Sequence, residues 1–209
     1  MVEATKSGRR VGRPKDTDSA ETRRRILDVA RAAFANGGYD ASTNRDLASQ
    51  VGITAGALYY YYPSKLDLYL AVHDDVQQRV YTVFNEVADR ANGFIETFDA
   101  VLDVAHDLNE EDPTLAAFIG ATRSDMRRHP EIATSLAGHA ERQAAFFLRL
   151  IDAGVASGEI DPVNRKFMVA FVSIILVGLT DGVSDDSSRH QRAVTSIKMA
   201  LRGDLLSPP

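Results

Sequence analysis

The sequence contains no cysteine and no tryptophan, and only 7 of its 209 residues are proline. Without cysteine there is no disulfide framework, no thiolate zinc site, no iron–sulfur cluster and no cysteine nucleophile. Strand signals are also lacking: no stretch sustains a period of two, and no Asn-Gly or Asp-Gly pair marks a hairpin. No segment recurs at a fixed spacing. Long hydrophobic runs are short in supply. The longest, from Phe167 to Leu179, covers about 13 residues and includes Ser173 and Gly178, against the roughly 20 needed to cross a bilayer. The basic N-terminus leads into Asp16, Asp18 and Glu21 rather than an apolar stretch, so no secretory signal is expected. These absences predict a cytoplasmic protein with no membrane partner.

Positive charge is scarce in total but not locally. The net charge of −5, taken in bulk, argues against nucleic acid. Residues 1–65, however, hold 11 Lys and Arg against 7 Asp and Glu, and residues 66–209 hold 13 against 22. Lys6, Arg9, Arg10, Arg13 and Lys15 all fall in the first 15 residues, opposed there only by Glu3. Such asymmetry suggests one part built for an anionic partner and another for something else.

What is present is helical periodicity. Residues 1–18 are nearly devoid of apolar side chains and read as a flexible basic arm. Ser19 or Asp18 is positioned to cap a helix that ends at Gly37-Gly38; Thr43 or Ser42 starts a short one, Thr54 a third, and Ser64 a long fourth to about Arg90. Further helices are predicted near 94–110, 114–128, 131–156, 163–182 and 187–203. The fold class is all-α.

The informative stretch is TNRDLASQVGITAGALYYYYPSK, Thr43 to Lys65. Two short helices about a glycine turn are the sequence form of a helix-turn-helix. Leu47, Ala48, Val51 and Leu58 can hold the two helices together, Gly52 permits the positive φ of the turn, and Ile53 can plug the corner. A second helix of this kind lies in a DNA major groove with its N-terminal residues at base edges. Thr54, Ala55, Gly56 and Ala57 are small enough for close approach. Tyr59 to Tyr62 cannot all be buried by one short helix, and those facing out can donate to phosphate oxygens. Lys65, in the first turn of the following helix, adds a cation beside free N–H groups. Thr43, Asn44 and Arg45 supply more donors.

In order and spacing, residues 21–71 resemble the DNA-binding domain of the TetR family of bacterial transcriptional regulators. The matching features are RRRILDVARAAFANGGYDASTNRDLA and then QVGITAGALYYYYPSKLDLYLAV. The resemblance implies phosphate contacts for Tyr59 and Lys65, base proximity for Ala55, Gly56, Ala57 and Tyr60, and backbone or base contacts for Asn44 and Arg45. Tyr61 stands where the family often has His, and Tyr62 where it has a buried Phe, so the Tyr62 hydroxyl needs an exit or a partner. Gly12-Arg13-Pro14 is similar to the core of minor-groove arms, which makes Arg13 a further DNA candidate. The implied architecture is an N-terminal three-helix DNA-binding domain, 19–66, joined by a long helix to a larger effector-binding and dimerisation domain, 67–209.

That larger part carries no motif of comparable strength. Helix 163–182 is apolar almost all round and must be covered on more than one side; Phe167, Phe171, Ile174 and Ile175, with Val194, Ile197 and Leu201 of the last helix, are the dimer candidates. Candidates for an effector pocket are Tyr81, Phe84, Phe98, Leu102, Phe118, Phe146 and Phe147, with the polar His106, Arg123, His139 and Gln143. Their aromatic bias favours an apolar or amphipathic ligand. The five histidines, His73, His106, His129, His139 and His190, show no metal-ligand spacing, and no nucleophile elbow, phosphate loop or dinucleotide fingerprint is present. Neither enzyme activity nor a cofactor or metal is expected. The sequence therefore predicts a homodimeric regulator that binds a palindromic operator in double-stranded DNA and is released by a small-molecule effector. The alternative is a ligand- or protein-binding helical module without operator binding.

Overall fold

The computed structural model describes residues 15–181 and 186–206; Arg13 and the rest of the N-terminal arm to residue 14 lie outside them. Among the described residues the chain is helical throughout: α1 (Lys15–Gly37), α2 (Asn44–Val51), α3 (Ala55–Tyr61), α4 (Lys65–Ala88), α5 (Gly93–Glu111), α6 (Pro113–Arg128), α7 (Pro130–Ser157), α8 (Arg165–Asp181) and α9 (Ser187–Arg202), with 3₁₀ turns at Tyr39–Ala41 and Pro162–Asn164.

Side-chain caps set most of these boundaries. Thr43 and Asp46 form a reciprocal capping box at the start of α2. The Thr54 hydroxyl accepts from the Ala57 N–H at 3.1 Å, and the Ser64 hydroxyl from the Asp67 N–H at 3.1 Å. Asp112 caps α6 ahead of Pro113, whose missing N–H costs nothing at a first helical position. One expectation fails. α1 begins at Lys15, so Asp18 and Ser19 lie inside it rather than capping it. The helix expected near 163–182 is α8, and Asp161, accepting from the Val163 N–H at 2.9 Å, holds a 3₁₀ turn just ahead of it.

The core is continuous from end to end. α1 packs on α2, α4 and α6, while α5 packs on α4, α7 and α9, and α6 on α8. α4 runs unbroken through residues 66 and 67, so the boundary expected there falls within a helix. An aromatic column crosses the same region: Phe34 to Tyr69 at 5.0 Å, Tyr39 to Tyr69 at 5.3 Å, and Tyr69 to Phe118 at 5.3 Å between centroids. At its end Asp125, fully buried, accepts from the Tyr39 N–H at 2.9 Å, the Tyr69 hydroxyl at 3.0 Å and Arg128 at 2.6 Å. Gly38 makes this close approach feasible: its φ is +71°, and a Cβ there would lie 2.9 Å from an Asp125 carboxylate oxygen.

The apolar stretch Pro162–Asp181 corrects the length argument made from sequence. It spans 20 residues with a mean hydropathy of 1.6, long and apolar enough to cross a bilayer, and little of it is buried within the chain. Its inner face, Val172, Ile175 and Leu179, is core. Its outer face, Phe167, Phe171, Ile174 and Val177, is exposed.

Candidate nucleic-acid interface and ligand cavity

The α2–α3 unit is assembled as its residues dictate. Leu47, Ala48, Val51 and Leu58 are buried. Gly52 takes φ 79°, ψ 32°, the left-handed cap, and the Ile53 N–H donates back to the Ala48 carbonyl at 3.0 Å. Ile53 is half-buried in the corner. This leaves one solvent-facing surface: Arg45, Thr54, Gly56, Tyr59 and Tyr60 are exposed, and Ala55, Ala57 and Tyr61 lie at its edge. Tyr60 is the most open at 85%, with Tyr59 at 51%. Tyr61 meets Tyr60 edge-on at 5.6 Å, and the Arg23 guanidinium lies 6.0 Å from the Tyr61 ring. Thr43 is exposed, but its hydroxyl is held by Asp46 at 2.6 Å.

Asn44 and Lys65 sit differently from what the motif suggested, while Tyr62 takes the buried position that the resemblance implies. Asn44 is buried, its side-chain oxygen without a hydrogen-bond partner, because its helical phase turns it toward the core while Arg45 faces out. Tyr62 is also buried, and burial pushes its phenol pKa up. Lys65 is half-buried, with its ammonium 4.3 Å from the centroid of the Tyr39 ring. Desolvation lowers its pKa, and Asp40 and Asp125 pull the other way.

In the remainder of the chain a cavity of about 160 Å³ opens between α4, α5, α6, α7, α8 and α9. Of the candidates, Tyr81, Phe84, Arg123, Gln143 and Phe147 line it. Burial pushes the Tyr81 phenol well above its ordinary pKa, and its ring packs against Phe84, Phe146 and Phe147. Gln143 and Tyr81 also line an outer cleft of about 530 Å³ with His139 and Phe146. The other candidates are elsewhere. Phe98 is fully buried in a stack with Phe94, Leu102 is core, and Phe118 belongs to the Tyr69 column. His106 is set against His190, ring nitrogens 3.2 Å apart. Arg123 is tied to α8 through Asp181 at 2.6 Å.

Sequence reasoning missed the far wall of the cavity, where Leu176, Leu179, Thr180 and His190 come from α8 and α9. These helices were read only as dimer candidates. For α8 no periodicity could have assigned the inward residues, since a helix that is apolar almost all round carries no phase, whereas α9 is amphipathic and His190 and Val194 lie on its buried face. Of the dimer candidates, Ile175 and Val194 are buried within the chain itself, and Ile197 and Leu201 are half-buried. Phe167, Phe171 and Ile174 remain available on one exposed face. The histidines, scattered in sequence, pair in space: His73 with His139 as well as His106 with His190.

Comparison with known proteins agrees with this layout. Residues 26–72 match the family described as bacterial regulatory proteins, tetR family. Over 194 residues the chain is 24% identical to the HTH-type transcriptional regulator UidR of Escherichia coli K12, covering 90% of this chain and 95% of that one. Over 64 residues it is 41% identical to the HTH-type transcriptional repressor AcnR of Corynebacterium jeikeium, covering 30% and 34%. Among solved structures, Salmonella enterica GusR superposes with a TM-score of 0.69 at 23% identity, covering 88% of this chain and 95% of that one.

Proposed function

The chain belongs to the tetR family of bacterial regulatory proteins, and on that premise we propose that it is a homodimeric repressor that binds a palindromic operator and releases it when a small apolar or amphipathic molecule occupies the cavity behind Tyr81. The observation that carries the DNA-binding half is the surface of α3. Its N-terminal turn is stripped to Thr54, Ala55, Gly56 and Ala57, while two tyrosines stand out into solvent beside it. These exposed tyrosines leave their apolar rings in water and have no core role, but their rings and hydroxyls suit the edge of a groove and its phosphates. Arg45 extends the same face. Lys65 sits at the start of α4, where a phosphate gains both its ammonium and the free N–H groups of a first helical turn. Arg13 is assigned to the adjacent minor groove on the resemblance alone.

The ligand-binding half rests on the cavity lining: aromatic and aliphatic walls with Arg123, Gln143 and His190 as the polar groups that orient a ligand. Because α4, α6 and α8 all contribute to the wall, a molecule that enlarges the cavity must shift helices that also carry the DNA-binding unit or the exposed α8 face. Release then follows by preferential binding to a conformation whose two α3 helices no longer match successive major grooves. The apolar outer face of α8 is covered by the second subunit rather than by lipid, in keeping with a cytoplasmic protein.

The direct test is fluorescence anisotropy with the DNA upstream of the chain's own gene. A steeply salt-dependent affinity in the range of about 10⁻⁸ M or tighter at physiological salt is expected. Equal binding to any duplex, with no fragment preferred over competitor, sinks the operator reading and leaves a helical binding module.

A further inference from the structure

His73 and Asp74 on α4 and His139 on α7 are far apart in sequence, yet the fold brings them together where the two helices meet. One ligand atom from each lies within 4.8 Å of the others. The imidazoles of His73 and His139 are 5.0 Å apart between centroids and nearly perpendicular, at 80°. His139 Nδ1 is 3.2 Å from Asp74 Oδ1. The three are graded from core to solvent: His73 is buried, His139 half-buried and Asp74 exposed. Gln77, one turn along α4, lines the same outer cleft, and its Oε1 is buried without a hydrogen-bond partner.

We propose that His73, Asp74 and His139 bind a divalent transition-metal ion, with zinc as the best fit. Two imidazoles and one carboxylate are the donor set that zinc takes when a fourth position is left open. Two nitrogen donors disfavour calcium and magnesium, which take oxygen, and with no thiolate or thioether in the trio a soft monovalent ion is disfavoured too. Tetrahedral zinc with bonds of about 2.1 Å places its ligand atoms about 3.4 Å apart. The Asp74–His139 pair already meets that spacing. Closing the set on the buried His73, within 4.8 Å of the other two ligand atoms, takes a movement of at most about 1.4 Å, and the solvent-facing Asp74 and His139 are the side chains placed to make it. The fourth position faces the outer cleft, open to water or to the Gln77 oxygen.

Among the described residues, the other charged group lining this cleft is Arg149, held by Asn85 at 2.8 Å; Arg123, in the adjoining cavity, is neutralised by Asp181. Neither offsets the attraction of Asp74 for a dication. A bound ion would fasten α4, the helix that leads directly out of the α2–α3 unit, to α7. The site itself requires no operator binding, so it stands or falls separately from the DNA reading.

The test uses the full-length chain without an affinity tag, freed of metal by dialysis against a chelator. Zinc is then titrated by calorimetry and cobalt by absorption spectroscopy. One ion per chain is expected, with cobalt giving the intense visible bands of tetrahedral coordination and zinc raising the unfolding temperature by mass action. Asp74→Asn and His139→Gln change surface-accessible side chains and should fold. Each is expected to weaken binding by more than the roughly tenfold that loss of even an outer-shell partner costs. His106→Gln, at the other histidine pair, should leave it unchanged. No saturable binding by the unaltered chain, or undiminished binding in both the Asp74 and His139 variants, overturns the proposal and leaves an ordinary Asp–His ion pair over a core histidine.

Discussion

At the scale of single residues, the DNA-facing surface is defined as much by absence as by contact. Gly56 sits within α3, and a Cβ built on it meets only the Thr54 hydroxyl, at 3.9 Å. Replacing it with Ala therefore adds a better helix former in open space, worth about 0.5–1 kcal/mol of stability. If α3 enters a groove, the same methyl group falls at the interface. Gly56→Ala is thus expected to raise the urea midpoint and to alter operator preference; a gain in stability with an unchanged sequence preference contradicts the groove placement. Tyr60→Ala removes a side chain that is almost wholly exposed, so its effect on folding should stay within about 0.5 kcal/mol, while affinity should fall more for the operator than for unrelated duplex, as loss of a base-proximal group requires. The exposed positions were legible because the order Thr54, Gly56, Tyr59, Tyr60 about a Gly52 turn leaves few phases for a short helix. Asn44 was misread for a complementary reason. At the first position of α2 the inward direction is set by how the helix crosses its neighbours, which local spacing does not contain. His73 and His139 were illegible as a pair because only the packing of α4 on α7 makes them neighbours.

At the scale of elements, α6 joins the DNA-binding unit to the wall of the cavity. It receives the DNA-binding unit through Asp125 and through a second polar knot, where the buried Arg31 of α1 reaches Asp112 at 2.7 Å and Thr114 at 2.9 Å, with Arg79 of α4 at 3.2 Å from the same carboxylate. Sequence periodicity located these helices but not this knot, because Arg31 and Asp112 are 81 residues apart. Burial acting alone would raise the Asp112 pKa, but the Thr114 hydrogen bonds and the two guanidinium groups outweigh it and hold the carboxyl below the ordinary range. Its folded pKa lies below the unfolded value of about 3.9. The stabilisation is therefore complete above the unfolded pKa and is lost as pH falls through the folded one. Asp112→Asn should be less stable at neutral pH and should show a shallower loss of stability on the acid side; parallel acid profiles in urea denaturation would argue that the pair contributes nothing. Arg31→Ala removes one of two guanidinium partners but leaves Asp112 bound by Arg79 and Thr114, and is expected to cost about 2 kcal/mol.

At the scale of the whole molecule, the uneven charge and the uneven apolar surface point in one direction. The basic surplus lies in the segment with the α2–α3 unit and the acidic surplus in the remainder, so DNA is attracted to one end and repelled by the other. The largest apolar exposure lies away from that end, on α8. Phe167, Phe171, Ile174 and Val177 follow one another at helical spacing, and Ile174 is 71% exposed. A stripe of this kind on an isolated chain favours association, and a two-fold pairing of α8 faces would bury it while presenting two α3 helices to one duplex. Ile174→Glu places a charge at the centre of the stripe without touching the inner face of α8, which is formed by Val172, Ile175 and Leu179. On the dimer reading, the unaltered chain should run as a dimer in light scattering, and the substituted chain should keep its helical circular dichroism but run as a monomer at the same concentration. A monomer reads only one half-site. It loses the linkage that makes the second half-site an intramolecular encounter, so operator affinity should fall by at least about a hundredfold while the weak, salt-sensitive binding to unrelated duplex persists. A dimer that survives Ile174→Glu assigns the interface to another surface, and a monomer with undiminished operator affinity removes the two-fold reading of the site.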